Sequence, residues 1–204
     1  MQTRIVQSLD SGADIWQIAV GDRQTERVLC FPAETMDKTK LAPGAEVLLG
    51  YVRIKFNAMD QWFEEDTPIF VHPKDPFKRV DILASTRPLS FSVGGVSLAE
   101  TRSSVHLYET GLPCRYYIPL TAINPTCLRR SQTRTQCPYK GEAEYYDVVV
   151  SSGTEESVVK DLVWYYTNPT VECAGIRGLC CFYNEKVDIK LDGFLFARPE
   201  THFS

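Results

Sequence analysis

The segment from residue 89 to residue 99 constrains the fold most strongly, because it predicts a β-hairpin. Apolar residues alternate with serines up to Gly94-Gly95, and an apolar-polar alternation resumes after this pair. Such alternation is typical of half-buried strands, and two adjacent glycines readily adopt the positive φ angles of a tight turn. Further strand-like runs occur at residues 105–108, 115–118, 142–150, 157–166, 179–183, 187–191 and 194–197. Many short strands joined by turns indicate a mainly β fold of compact antiparallel β barrel or sandwich-like modules, with one or two short helices.

The first part of the chain carries a weaker version of this pattern. Strand-like runs occur at residues 15–20, 27–31 and 45–56. Phe56, Met59 and Phe63 then fall at positions i, i+3 and i+7. This spacing predicts a short amphipathic helix that is capped by Asn57 and ends in the acidic residues 64–66.

A short internal recurrence bears on the domain organisation. Arg79-Val80-Asp81-Ile82 is followed much later by Lys186-Val187-Asp188-Ile189. The recurrence favours two related β modules, a shortened N-terminal one at residues 1–88 and a complete C-terminal one at residues 89–204 that carries the main site. The alternative is a chance recurrence in a single continuous β structure.

The charge balance and the cysteine and histidine content argue against several classes of partner. The chain has 22 basic and 26 acidic residues, a net charge of −4, so the cationic surface that nucleic acid requires is not expected. No apolar run approaches the roughly 20 residues of a membrane-spanning helix, which predicts a soluble, cytoplasmic protein. Seven cysteines, an odd number, favour reduced thiols, and His72, His106 and His202 do not recur at ligand spacing. We therefore expect no metal and no cofactor, and we leave a homo-oligomer open.

Two stretches rich in polar aromatic residues, 108–119 and 137–144, predict opposite walls of one polar site. In the first, Glu109 and Arg115 flank a glycine turn and are expected to face each other across adjoining strands. This pair either binds a polar ligand jointly or is a structural ion pair that holds the turn. Whether Glu109 can act as an acid depends on whether burial or the arginine dominates its pKa.

The second stretch supplies a lysine and two carboxylates. Lys140 precedes a glycine, beside which a ligand or another backbone can approach closely. We interpret Lys140 as an anion or carbonyl binder, or as a base if burial lowers its pKa, and the alternative is a solvated turn lysine. Glu142 and Glu144 share one strand face because they are two residues apart.

Two further features complete the candidate site. His72 with Asp75 suits a general base oriented by a carboxylate, and the alternative is a histidine satisfied by loop backbone. Trp164 provides either a stacking wall or part of the core. The predicted catalytic residues are Glu109, Lys140 and Glu142, and the predicted substrate-binding residues are Tyr108, Arg115, Tyr117, Tyr139, Trp164 and His72.

Several segments together resemble the domain of unknown function 427 family, which is also catalogued under a nucleotidyltransferase-like label. They are residues 63–66, 71–81, 108–113, 115–117, 137–143, 164–165 and 182–188. The resemblance implies a compact β fold, often in tandem copies, with a cleft of unassigned chemistry. The first copy is shortened here, and Cys114 adds a thiol beside the cleft. The chain has no Gly-rich phosphate loop and no paired Asp at metal-binding spacing, so its residues do not support the nucleotidyltransferase label.

Three functions are consistent with these residues. The first is a cofactor-free enzyme of the isomerase, cyclase, lyase or hydrolase type, using acid–base or electrostatic catalysis on a polar or carbonyl-bearing small molecule. The second is a non-catalytic module that binds a small ligand or a protein through the same aromatic surface. The third follows the family label and predicts magnesium-dependent nucleotide binding.

Overall fold

The structure, a computed structural model, describes residues 1–152, 155–201, 203 and 204, except for the side chains of Ser152 and Glu155. The chain divides into two compact units, residues 1–69 and 70–204. Both consist mainly of antiparallel strands, so the predicted fold class is confirmed. The division into related modules at residues 1–88 and 89–204 stays a prediction. Within the described part of the chain, no helix is long and apolar enough to cross a membrane.

The first unit contains six short strands in two sheets. They are β1 (Gln2–Ser8), β2 (Asp14–Val20), β3 (Arg23–Cys30), β4 (Val52–Ile54), β5 (Trp62–Glu64) and β6 (Thr67–Ile69). Strands β1 to β4 pair in chain order, and β5 pairs with β6 as a separate hairpin. The connections include three 3₁₀ helices, Lys38–Lys40, Ala45–Leu48 and Phe56–Ala58.

The predicted helix after residue 56 is wrong. One 3₁₀ turn ends at Met59, whose backbone is extended, and strand β5 follows. The indole N–H of Trp62 donates to the carbonyl of Phe56 at 2.6 Å, and the two rings stack at 5.4 Å. Phe63 is 58% exposed, so the i, i+3, i+7 spacing does not mark a buried face. A short apolar run fits a folded-back hairpin as well as a helix.

The strand-like run predicted at residues 45–56 is strand only in β4. Gly44 has a φ of 84° and leads into the 3₁₀ helix at Ala45–Leu48, and Gly50 with a φ of 82° turns the chain before β4. Both glycines hold left-handed conformations that other residues rarely adopt, and these turns break the extended backbone.

In the second unit, the described residues form eleven strands in two sheets. They are β7 (Val80–Ser85), β8 (Leu89–Val93), β9 (Val96–Thr101), β10 (Ser104–Glu109), β11 (Arg115–Pro119), β12 (Leu128–Cys137), β13 (Gly141–Ser152), β14 (Glu155–Tyr165), β15 (Leu179–Phe182), β16 (Asp188–Leu191) and β17 (Phe194–Leu195). One sheet has the order β12-β13-β14-β15-β11-β10-β7, and the other has the order β17-β16-β8-β9. The connections include three 3₁₀ helices, Leu120–Ala122, Pro125–Cys127 and Val171–Ile176.

The hairpin predicted at residues 89–99 is confirmed. Strands β8 and β9 pair antiparallel, and Gly94 and Gly95 form the turn with φ angles of 56° and 81°. Phe91 is 1% exposed and stacks on Phe182 of the larger sheet at 4.8 Å. The apolar face of the hairpin therefore packs in the core between the two sheets.

The larger sheet has a second apolar face, which forms a separate cluster. Neighbours in β11 divide between the two sides: Tyr116 and Ile118 join the core between the sheets, whereas Tyr117 joins the second cluster. In β15, Cys180 and Cys181 divide in the same way, as expected from the period-two alternation of a strand. This second cluster forms much of the candidate site.

Candidate functional site

A row of directly paired residues crosses the larger sheet on the face of the second cluster. Tyr145 of β13 pairs with Trp164 of β14, Trp164 pairs with Cys181 of β15, and Cys181 pairs with Tyr117 of β11. The Trp164 indole N–H donates to the Tyr117 hydroxyl oxygen at 3.0 Å, and this bond is buried. The sheet register thus builds one wall of aromatic side chains.

A cavity of about 300 Å³ lies against this wall. Its lining residues are Glu109, Leu112, Arg115, Tyr117, Thr135, Gln136, Cys137, Pro138, Lys140, Tyr145, Trp164, Tyr166, Tyr183 and Phe203. A larger groove of about 500 Å³ lies elsewhere on this unit, but its charged residues, Glu100, Arg102 and Lys190, are all exposed. We therefore take the smaller cavity, which has buried charges in its wall, as the candidate site.

The first buried ion pair of the cavity joins Glu109 to Lys140. Their side chains are 5% and 11% exposed, and the Lys78 ammonium lies 3.5 Å from the same carboxylate. Burial lowers the pKa of Lys140, but Cys137 and Glu109 together raise that pKa by more, so it lies above its usual value. Lys140 is therefore an ammonium ion at neutral pH and suits anion or carbonyl binding, not proton abstraction.

Gly141 fixes the backbone beside this lysine. It has a φ of 99°, and a Cβ at this position would lie 3.3 Å from the carbonyl oxygen of Asn168. The carbonyl of Lys140 in turn accepts a hydrogen bond from the backbone N–H of Thr170 at 3.1 Å. The close approach of two backbones, one of the possibilities predicted for this glycine, is thus what the structure shows.

The second buried ion pair joins Arg115 to Glu185. Two guanidinium nitrogens donate to the two carboxylate oxygens at 2.7 Å each, and the Thr201 hydroxyl donates to the same carboxylate at 2.6 Å. Burial raises the pKa of Glu185, but the hydrogen bonds from Arg115 and Thr201 outweigh it and lower this pKa to about 2. The guanidinium lies near the rings of Trp164 and Phe203, with centroids 5.5 and 5.6 Å away.

The predicted ion pair between Glu109 and Arg115 is wrong, whereas their joint binding of a polar ligand stays a prediction, since both line the cavity. Each residue has a different buried partner, Lys140 for the glutamate and Glu185 for the arginine. Glu185 lies 70 residues after Arg115, so the turn between Glu109 and Arg115 could not reveal the choice of partner.

Several tyrosines of the cavity stay protonated. Burial is the main cause that raises the pKa of Tyr117, Tyr166 and Tyr183. The Tyr145 hydroxyl lies 2.6 Å from the Thr135 hydroxyl, at hydrogen-bond distance. At neutral pH these phenols can donate hydrogen bonds to an oxygen atom of a ligand.

Five of the nine predicted site residues line the cavity: Glu109, Arg115, Tyr117, Lys140 and Trp164. The structure does not bring the other four there. Glu142 lies on the other face of β13 and, like Glu144, contacts Arg134. Tyr108 is 44% exposed, and the Tyr139 hydroxyl accepts a hydrogen bond from the backbone N–H of Asp75.

His72 is the fourth of these residues, and it is not oriented by Asp75. Its Nδ1 lies 2.6 Å from the carbonyl oxygen of Pro73, which can only accept, whereas Asp75 accepts from the backbone N–H of Phe77. The alternative interpretation, a histidine satisfied by loop backbone, therefore describes the geometry. His202 lies outside the described residues. No group of three or more His, Cys, Asp or Glu side chains suited to a metal ion occurs in the part of the chain that the structure describes.

Nine of the fourteen lining residues, and Glu185 behind them, were not predicted as site residues. Tyr145 and Tyr166 line the cavity as neighbours of predicted residues, and the alternation that places Glu142 and Glu144 outward indicates that Tyr145 points inward. Tyr183 and Glu185 both lie in a segment that carries the family resemblance, two residues apart. Both lie in the turn after β15, so strand alternation could not have identified them, and the family resemblance was the signal that marked their segment.

The fold and the site together define a class: a mainly β domain whose larger sheet carries a small, aromatic-walled cavity with two buried ion pairs. Comparison with protein families agrees with this description. The family model for the domain of unknown function DUF427, labelled NTP_transf_9, matches residues 81–193, just over half of the chain. The chain belongs to this family, as its sequence motifs predict. No curated protein matches the chain.

Proposed function

We propose that the cavity is the substrate site of a small-molecule enzyme that uses electrostatic and acid–base catalysis on a polar, carbonyl-bearing organic compound. The observation that carries the proposal is the convergence of the Glu109–Lys140 pair and of Arg115, which pairs with Glu185, on one cavity. A buried ion pair is often no more stable than an apolar replacement of the same volume. Two such pairs beside one cavity are therefore better explained by a chemical role than by fold stability.

The residues of the cavity support distinct roles. Lys140 suits stabilisation of negative charge that develops on a carbonyl oxygen, because its ammonium is buried where electrostatic interactions are strong. Glu109 holds Lys140 in place and is a positioning residue. Tyr166 also lines the cavity, and its raised pKa keeps the phenol protonated at neutral pH, so it can donate a hydrogen bond to the same oxygen but is a weak general acid.

One observation favours the alternative of a non-catalytic binding module. Both cations in the cavity wall already have a carboxylate partner, so neither presents an unpaired charge to a ligand. In an enzyme, the substrate must compete with these partners or use the remaining N–H groups of Arg115 and Lys140. Both functions use the same cavity, and they differ in whether the bound compound is changed.

The test incubates the protein with a mixture of polar metabolites and follows each compound by mass spectrometry. We expect the wild-type protein to consume a carbonyl-bearing compound, and Lys140→Met to slow this reaction about 100-fold or more. Lys160→Met is the matched control, because Lys160 is an exposed lysine of β14. Circular dichroism and urea unfolding verify that each variant is folded.

Two results contradict the proposal. The first is a reaction that proceeds equally fast in Lys140→Met and in the control. The second is a compound that binds in the cavity and is recovered unchanged, which supports the binding module. Glu109→Gln separates positioning from binding: we expect its turnover number to fall, because Lys140 loses its charged partner, with a smaller change in KM.

A further inference from the structure

We infer that this cavity selects a flat, unsaturated organic anion that carries one carboxylate. The inference rests on the proposed function, since it names the substrate class of the same site. The preference for a negatively charged ligand follows from the charged side chains, and the preference for a flat ligand follows from the aromatic rings. Each preference has its own test.

The charge preference follows from the groups around Glu109. This carboxylate has two ammonium neighbours, Lys140 and Lys78, whereas Arg115 and Glu185 neutralise each other. The five side chains therefore sum to one positive charge. Lys78 is 29% exposed and lies outside the lining, but its ammonium shares the Glu109 carboxylate with Lys140, so these three side chains together carry one positive charge in excess.

Two groups of charged side chains on neighbouring elements do not reverse this excess. Lys74 pairs with Glu172 at 2.8 Å, which leaves no net charge there. Glu142 and Glu144 project from the opposite face of β13, where Arg134 contacts both. Lys140 and Glu109 are buried, so an excess charge beside them is screened less than at the surface.

The preference for a flat body follows from the aromatic wall. The cavity is bounded by the rings of Tyr117, Tyr145, Trp164, Tyr183 and Phe203. Trp164 and Tyr183 have centroids 4.6 Å apart, and Tyr183 and Phe203 are 5.7 Å apart, so the rings form one continuous apolar surface. The volume of about 300 Å³ is at the small end of the range for ligand sites, which fits a single substituted ring.

The test measures dissociation constants for four probes: benzoate, benzamide, benzylamine and acetate. We expect benzoate to bind about tenfold more tightly than benzamide, which has the same ring without the charge, and benzylamine to bind more weakly still. Acetate carries the charge without the ring and is expected to bind at least about tenfold more weakly than benzoate. Benzylamine or acetate binding as tightly as benzoate overturns the inference, as does no binding of benzoate at millimolar concentration.

Variants of the two lysines test the source of the charge preference. Lys140→Met should abolish the preference for benzoate over benzamide, but it removes a buried partner and risks misfolding. Lys78→Met is the safer variant, because this side chain is partly exposed. We expect it to reduce the benzoate-to-benzamide preference roughly fivefold, although Lys78 does not line the cavity, and we expect Lys160→Met to leave the preference unchanged. An unchanged preference in Lys78→Met refutes the charge argument.

The inference and the proposed function fail in different ways. If benzoate binds in the expected order but no metabolite is consumed, the ligand class stands and the enzymatic function fails. If the protein consumes a neutral or cationic compound in a Lys140-dependent way, the enzymatic function stands and the ligand class fails.

Discussion

Replacing Glu185 by glutamine tests the buried ion pair in isolation. The change keeps the size of the side chain and its capacity to accept a hydrogen bond, but it leaves the guanidinium of Arg115 buried without a counter-charge. Hydrogen bonds from Arg115 and Thr201 outweigh burial and lower the pKa of Glu185 from 4.5 to about 2. At about 1.4 kcal/mol per unit, this difference corresponds to about 3 kcal/mol of folding free energy at pH 7.

The stability difference between wild type and Glu185→Gln should depend on pH. Because folding lowers the pKa of Glu185, the stabilisation is fully present above pH 4.5 and is lost as the pH falls toward 2. We therefore expect urea unfolding to show wild type more stable than Glu185→Gln by about 3 kcal/mol at pH 7, and by only about 1.4 kcal/mol at pH 3.

The chain offers a matched control for this experiment. Glu142 also pairs with an arginine, Arg134, at 2.8 Å, but these side chains are 41% and 59% exposed, against 0% and 7% for Glu185 and Arg115. Glu142→Gln should leave stability nearly unchanged at both pH values, since exposed ion pairs contribute little. If both variants lose the same stability, or if the loss in Glu185→Gln does not depend on pH, the reasoning about burial is refuted.

Three further predictions concern the same unit of the structure. Gly141→Ala should lower the free energy of unfolding by about 1–2 kcal/mol in urea, because its φ of 99° is strained for alanine and the new Cβ would meet a backbone carbonyl oxygen at 3.3 Å. Trp164→Phe and Tyr117→Phe each remove the same buried hydrogen bond, so a double-mutant cycle should give a coupling energy of about 1 kcal/mol, and additive losses would contradict the bond. Only the half-buried thiols of Cys114 and Cys137 should react with a thiol reagent before unfolding, and Cys114 slowly, because burial raises its pKa; early reaction of any of the other five contradicts the burial pattern.

The sequence predicted those features that depend on the pattern of apolar and polar residues within a short segment. The hairpin at residues 89–99 follows from alternation and two glycines, and the structure has it. The two aromatic stretches, 108–119 and 137–144, do meet, because Glu109 in the first contacts Lys140 in the second. Their composition was informative because a core strand has no need for so many polar aromatic residues.

Features that depend on long-range pairing could not be predicted in the same way. Arg115 has carboxylates available at many positions, and only the fold brings to it Glu185, which lies in the turn after β15. The prediction that Glu142 lies in the site failed for a different reason. A shift of one residue along a strand moves a side chain to the opposite face, and the sequence alone did not show whether Glu142 or its neighbour Ala143 faces inward.

The boundaries of the family match separate two parts of the site. The matched residues, 81–193, supply both buried ion pairs and the aromatic row across the sheet. Thr201 and Phe203 lie beyond the match, yet one donates a hydrogen bond to Glu185 and the other lines the cavity. The buried charged residues that line the cavity thus belong to the family domain, whereas the lining residue Phe203 belongs to a segment outside the matched range. We therefore expect the type of charge that the cavity accepts to depend on the family domain together with Lys78, which precedes the matched range, and the shape of the ligand to depend in addition on the segment that contains Phe203.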